Sequence, residues 1–306
     1  MKTSTSKRLR WNVAIWLAAG LFMTSTAGMA SGPILPDPKA EARHHPQIEE
    51  TANGIPLVNI TAPSSGGVSR NEYEMFNVPD KGAILNNSYT LSKTELAGYV
   101  PGNNNMAERP AKIIVNEVTG TGSTSMDGFL EVAGNRADVV IANPNGITVN
   151  GGGFINTGKA FLTTGKPVYD GEDHLQRFDI TGGDILIEGK GLGGKETESL
   201  AILSRAVKIN AGIWAEDLHI TTGANTVDAK TLEASAIEGK GGRPAFALDT
   251  AAIGGMYAGR ITLVGTEKGL GVNNSGTWSA EDNLTLDWNG DLKNSGTIYS
   301  KGNTDL

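Results

Sequence analysis

The 306-residue chain contains no cysteine. A disulfide framework and a thiolate metal site are therefore both excluded. Histidine is scarce, four in all, and only 6% of residues are aromatic, so a histidine-built metal centre has few ligands to draw on and no cofactor is expected. A sustained i, i+3, i+4 apolar period, the mark of amphipathic helices, is missing as well. Positive charge is the minority sign: 26 Lys and Arg stand against 33 Asp and Glu, a formal charge of −7. Nucleic-acid binding needs clustered Lys and Arg, and that class is set aside.

The N-terminus runs against this trend. Lys2, Lys7, Arg8 and Arg10 precede a short apolar run, Trp11–Phe22, and Ala27-Gly28-Met29-Ala30 supplies small residues before Ser31. The pattern is a Sec signal peptide over residues 1–30, with an apolar core too short to span a bilayer comfortably. Its removal takes away four basic residues and no acid, which leaves −11. Residues 31–53 are Pro-rich and polar and read as an extended leader. His44 and His45 would point opposite ways in an extended chain, so they do not read as a metal pair.

Glycine is plentiful, with 41 residues, and together with Asn, Asp and Ser it punctuates short apolar runs. Leu57–Ile60, Ala83–Leu85, Ile113–Val115, Val139–Ile141, Ile185–Ile187, Val207–Ile209, Ile261–Val264 and Leu284–Leu286 have strand length and strand composition. Ser92–Ala97 has the makings of one capped helical turn. Glu196–Arg205 reads equally as a short helix or as loop plus strand. The chain is expected to be all-β.

One stretch, Arg136–Asn156, shows the logic most clearly. Val139-Val140-Ile141 is a β-branched run. Asn143-Pro144-Asn145-Gly146 is then a tight turn: Asn opens it with a side-chain bond, Pro presets φ, and Gly146 suits the fourth position. Ile147 and Val149 resume strand alternation at once.

Near the C-terminus Asn274-Ser275-Gly276-Thr277 recurs 20 residues later as Asn294-Ser295-Gly296-Thr297. Ile209–Trp214 is a more degenerate copy, echoed by Val272–Trp278. Short strands at a fixed period signal a solenoid whose coils stack as parallel strands. Asn274 and Asn294 are expected to begin an Asn ladder at the corner of every rung. At about 20 residues and 4.8 Å per coil, the rod would be on the order of 50–60 Å long. Gly54–Leu85 is the natural N-terminal cap over the open strand edges. Residues 54–265 form the main domain and 266–306 the start of the repeats. With no capping signal before Leu306, the chain is expected to be the front of a longer protein.

Chemical sites are few. Gly189–Gly194 fits a dinucleotide glycine pattern but lacks the βαβ setting, and reads as a loop between rungs. Asp170, Glu172 and Asp173 flank His174 in a polar loop, and are the best local candidates for acid–base catalysis. His219 lies in an alternating strand pattern without a triad around it.

The turn at Asn143–Ile147 resembles the Asn-Pro-Asn-Gly-Ile signature of the N-terminal secretion domain of two-partner-secretion exoproteins. Filamentous haemagglutinin-like adhesins, the haemolysins of that pathway and CdiA-type contact-dependent inhibition proteins belong to this family. Phe76–Ser88, Ile113–Thr119 and Gly254–Ala258 resemble further family blocks in the same order.

The resemblance implies a right-handed parallel β-helix with small extra-helical β elements and no enzymatic activity. It also implies export through the periplasm of a Gram-negative bacterium, and secretion or attachment at the cell surface. The implied partner is an outer-membrane TpsB-type transporter, related to CdiB and FhaC, with periplasmic POTRA modules. A host or neighbouring-cell surface would be met by regions beyond this chain. In the family two Asn turns accompany secretion competence. One is Asn143, Pro144, Asn145, Gly146 and Ile147. The other aligns with Asn103, Asn104, Asn105 and Met106, where Asn104 replaces the family's Pro and loosens φ. The Cys pair of the haemolysins is replaced by Val149 and Gly152. The competing class is a β-helix protein that binds or cleaves polysaccharide.

Overall fold

A computed structural model describes residues 33–107 and 109–306. The signal peptide assigned to residues 1–30 lies outside them. Short strands, broken at glycines and asparagines, wind into coils with three faces, each face a stack of parallel strands. Face one begins with Pro56–Asn59, Ala83–Asn87 and Phe129–Gly134 and ends with Thr277–Ala280 and Thr297–Ser300. Face two follows it along the chain: Val68–Phe76, Ile113–Val118, Ala137–Ala142, Thr157–Thr163 and Ser199–Ser204. Face three runs from Thr124–Met126 and Ile147–Val149 to Leu292–Asn294. Gly212–Thr222 and Gly255–Gly265 are long enough to bend across faces one and two. The architecture is a parallel β-helix.

Alternation explains why these sequences stack. In Ala137–Ala142 the side chains of Ala137, Val139 and Ile141 enter the central core, while Val140 and Ala142 turn outward. The outward pair is buried too, because a four-stranded antiparallel sheet lies over face two. Its strands are Lys166–Tyr169, Leu175–Ile180, Asn225–Asp228 and Ala234–Ala236, and Phe178, Ile180 and Val227 pack on Val115, Val140 and Phe161. A strand buried on both sides reads as a continuous apolar run, which is what Val139–Ile141 is. A hairpin, Ser92–Thr94 with Gly98–Val100, covers Leu57 and Ile84 on face one in the same way.

Three expectations need correction. Residues 33–50 are not an extended leader. Ile34–Pro36 pairs antiparallel with Val68–Phe76, and Gln47–Glu50 pairs antiparallel with Pro56–Asn59. These strands seal the open edges of the first coil, so the cap starts before Gly54. The helical turn at Ser92–Ala97 is replaced by the hairpin, since Thr94 Oγ1 bonds Gly98 O at 2.8 Å and closes a tight turn. Of the two readings left open for Glu196–Arg205, loop plus strand is the one found, with Ser199–Ser204 paired on both edges.

The third correction concerns length. A period near 20 residues holds at the end, where Trp278 pairs with Ile298, and in some earlier rungs, where Ala137 pairs with Thr157 and Leu192 with Ile213, but not throughout. Further up, Gly152 pairs with Leu192 and Ile213 with Met256, because the outer sheet consumes chain without adding rise. Among the described residues face one has nine stacked strands, so at about 4.8 Å per step the stack is on the order of 40 Å.

Candidate functional site

The Asn143–Gly146 turn closes the corner between faces two and three. Asn143 is fully buried. Its Oδ1 accepts the backbone N–H of Asn145 at 2.9 Å, and its carbonyl accepts the N–H of Gly146 at 3.1 Å. The Asn143 amide donates to Gly122 O and to Thr124 Oγ1, both at 3.0 Å, and so ties the turn to the coil above. Asn145 Nδ2 adds a bond to Gly120 O at 2.8 Å. Gly146 has φ +111°, a conformation that L side chains rarely adopt. Ile147 enters the core beside Ile185. Only Pro144 and Asn145 face solvent.

Asn103–Met106 repeats this design in the preceding coil, at the corner between faces one and two. Asn103 is 2% exposed, its Oδ1 accepts Asn105 N at 3.0 Å, and its carbonyl accepts Met106 N at 3.1 Å. Its amide donates to Ile60 O and Asn86 O, both at 2.9 Å, and Asn105 Nδ2 reaches Ile60 O at 3.1 Å. The first Asn makes the turn through its side chain in both motifs. Asn104 can therefore stand where the other turn has Pro144.

Asn274 Nδ2 donates to Asn294 Oδ1 at 2.9 Å. The ladder does not extend to every rung. Thr250 and Ile209 occupy the same column above, and Asn210 falls one position off it. Larger asparagine networks lie where the repeat was not legible. Asn71 and Asn116 stack on face two, each donating to a carbonyl of the next rung, and Asn86 donates to Asn59 Oδ1 at 2.8 Å. Asn87 holds Ala111 through both its amide and its carbonyl oxygen. Asn86, Asn87 and Asn116 fall in the Phe76–Ser88 and Ile113–Thr119 blocks, whereas Asn59 and Asn71 lie in neither.

The carboxylate cluster is a turn. Asp170 Oδ1 accepts the N–H groups of Glu172 and His174 at 2.9 Å, and Oδ2 meets His174 Nδ1 at 2.9 Å. The His174 backbone N–H, foremost, holds the Asp170 carboxyl below its ordinary range. Asp173 takes Arg43 at 2.6 Å, which ties the cap to the outer sheet. Nearby, Arg70 sits over the Tyr169 ring at 4.4 Å and reaches Glu72 and Glu117. Burial pushes the Glu117 carboxyl upward, with Arg70 opposing. His44 is buried against Glu72 at 3.1 Å, whereas His45 is exposed. His219 meets Thr221 Oγ1 at 2.9 Å, and burial lowers its pKa. Gly189–Gly194 is only half a loop, since Leu192–Gly194 is a face-one strand. Among the described residues no group of three or more His, Asp or Glu has metal-site geometry.

Two buried Asn turns, coils of three parallel faces and a sealed first rung describe a scaffold. The family model of the TPS secretion domain matches residues 33–298, nearly the whole described chain. The chain belongs to the TPS secretion-domain family. Toxin CdiA of Yersinia pestis is 43% identical over 90% of this chain, and the 16S rRNA endonuclease CdiA of Enterobacter cloacae subsp. cloacae is 43% identical over 90%. This chain spans 9% and 8% of those proteins. The crystal structure of the filamentous hemagglutinin secretion domain superposes with a TM-score of 0.76 at 31% identity, covering 89% of this chain and 96% of that one.

As a TPS domain, the chain is the non-enzymatic secretion domain of a CdiA- or haemagglutinin-like exoprotein. Such exoproteins leave Gram-negative bacteria across the outer membrane with the help of a dedicated transporter.

Proposed function

We propose that residues 1–30 direct export to the periplasm and are cleaved before Ser31. There the unfolded chain is bound by the POTRA modules of a TpsB-type transporter, passes through its barrel and folds outside. The observation that carries this reading is the closure of the ladder. Interior strands are paired on both edges, and the first coil is sealed by Ile34–Pro36 and Gln47–Glu50. A folded coil therefore offers no side edge to a periplasmic module, whereas an unfolded one offers amphipathic strand segments for β-augmentation. The absence of cysteine leaves no covalent crosslink to obstruct passage.

Asn143–Ile147 and Asn103 with Asn105 serve secretion by closing corners once the chain emerges, so that folding outside gives the passage its direction. Asn274 and Asn294 carry the same bonding into the repeats. The 43% identity to CdiA proteins, against 31% to the haemagglutinin domain, favours a toxin-delivery exoprotein over an adhesin.

The test is secretion of residues 1–306 from a Gram-negative host with and without the neighbouring transporter. Appearance in the medium only with the transporter is expected. Periplasmic retention in both cases would overturn the reading.

A further inference from the structure

The outward side of face one carries a straight column. Phe129, Gly153 and Gly193 stack in consecutive rungs, and Trp214, Tyr257, Ser279 and Tyr299 continue the same line. Outward positions of a solvated sheet are ordinarily polar. Here Phe129 is 44%, Tyr257 39% and Tyr299 48% exposed, and Trp214 is half-buried.

Glycines let the rings lie down. The Trp214 ring folds back over Gly212, where a Cβ would come within 2.5 Å of it. Tyr257 folds over Gly255 in the same sense, and Phe129 lies over Gly153. The Trp214 and Tyr257 rings are parallel within 16°, with centroids 6.2 Å apart. Where Ser279 interrupts the aromatics, a shallow groove of about 460 Å³ opens beside Tyr257, bordered by Lys195, Glu216 and Glu281.

We propose that this column is a binding strip for an extended, uncharged polysaccharide of β-linked hexoses. Three observations choose this occupant. The rings recur in line over six rung steps, about 29 Å, so the strip suits a periodic linear polymer better than a folded protein surface, which would bring its own compact hot spot. Aromatic faces backed by glycine receive the C–H faces of pyranose rings, while Lys195, Glu216, Ser279 and Glu281 offer hydroxyl partners. The acidic flank and the acidic chain repel anionic polymers, which excludes sulfated and uronic glycans. The strip is separate from both Asn turns and works on the folded chain, so it stands or falls independently of transporter recognition.

The test is titration of the folded, secreted chain with cellohexaose and chitohexaose, read by calorimetry, with a heparin hexasaccharide as the anionic comparison. At least one neutral hexasaccharide is expected to bind. Trp214→Ala and Tyr257→Ala should each weaken that binding roughly tenfold, while the β-type circular dichroism spectrum is kept. If Trp214→Ala does not fold, Trp214→Tyr and Tyr299→Ala take its place, the first expected to retain binding and the second to weaken it. Failure of both neutral sugars to bind at millimolar concentration would overturn the proposal, as would tighter binding of heparin. So would full binding in the folded alanine variants, or self-association through the strip that Tyr257→Ala abolishes while sugars stay unbound.

Discussion

At the residue scale, the secretion-domain turns are made by buried amide side chains. Asn143 uses its side-chain Oδ1 to accept from Asn145 and its side-chain Nδ2 to donate to Gly122 and Thr124. Asn143→Ala leaves those partners without a bond in the interior, at a cost of about 2 kcal/mol. Gly146→Val forces a β-branched residue to φ +111°, at about 1–3 kcal/mol. Urea unfolding of both variants should show lower midpoints, and secretion should fall in the same order as stability. Secretion that stays normal in both would separate the motif from export. Asn104→Pro works in the other direction. It restores the restraint that Pro144 supplies in the sister turn, and should raise stability by about 0.4–1 kcal/mol in the same experiment. A lower midpoint would mean that the two turns differ at their second residue.

At the scale of elements, the coils are held to their decorations by a few polar clasps. Arg205, with its side chain 8% exposed, bonds Glu267 through Nε and Nη2 at 3.0 Å and also reaches Lys240 O at 2.7 Å. The excursion carrying Asn225–Asp228 and Ala234–Ala236 is thereby fastened to the turn after Gly255–Gly265. Arg205 holds the Glu267 carboxyl below its ordinary 4.5. A depressed carboxylate stabilises the fold above 4.5, and that contribution fades as pH falls through its folded value. The stability difference between the parent chain and Glu267→Gln should therefore be full at pH 7 and shrink on acidification below 4.5. Chemical denaturation at stepped pH measures it, and a gap that does not change with pH would show that the clasp does not depend on charge.

At the scale of the whole molecule, nearly all pairing is between distant parts of the chain. Parallel strand partners lie from 18 residues apart, as for Leu200 and Leu218, to 47 apart, as for Ala83 and Leu130. Loop closure precedes each such contact, so folding is slow. Refolding from urea, followed by tryptophan fluorescence, should take on the order of seconds and not milliseconds. That delay suits the proposed passage of an unfolded chain through the periplasm. Millisecond refolding would leave the chain folding before transport and would weaken the proposed order of events.

The β-helix was legible because parallel stacking leaves a local record: β-branched runs such as Val139–Ile141, turn chemistry at Asn143–Gly146 and the Asn-Ser-Gly-Thr repeat. A turn whose first residue bonds the third through its own side chain is determined locally, so the Asn143–Gly146 turn could be read from its residues, whereas Asn103–Met106 was placed by the family resemblance. Tertiary structure alone decided the rest. Residues 33–50 carry no strong strand period and become strands only because the first coil has edges to cover. The outer sheet breaks the period downstream and the Ser92–Val100 hairpin breaks it upstream, so coil length and the Asn71–Asn116 stack could not be counted along the chain. The aromatic column joins residues from Phe129 to Tyr299, which no local pattern links. Strand and turn depend on near neighbours, whereas register between rungs depends on how much chain each corner extrudes.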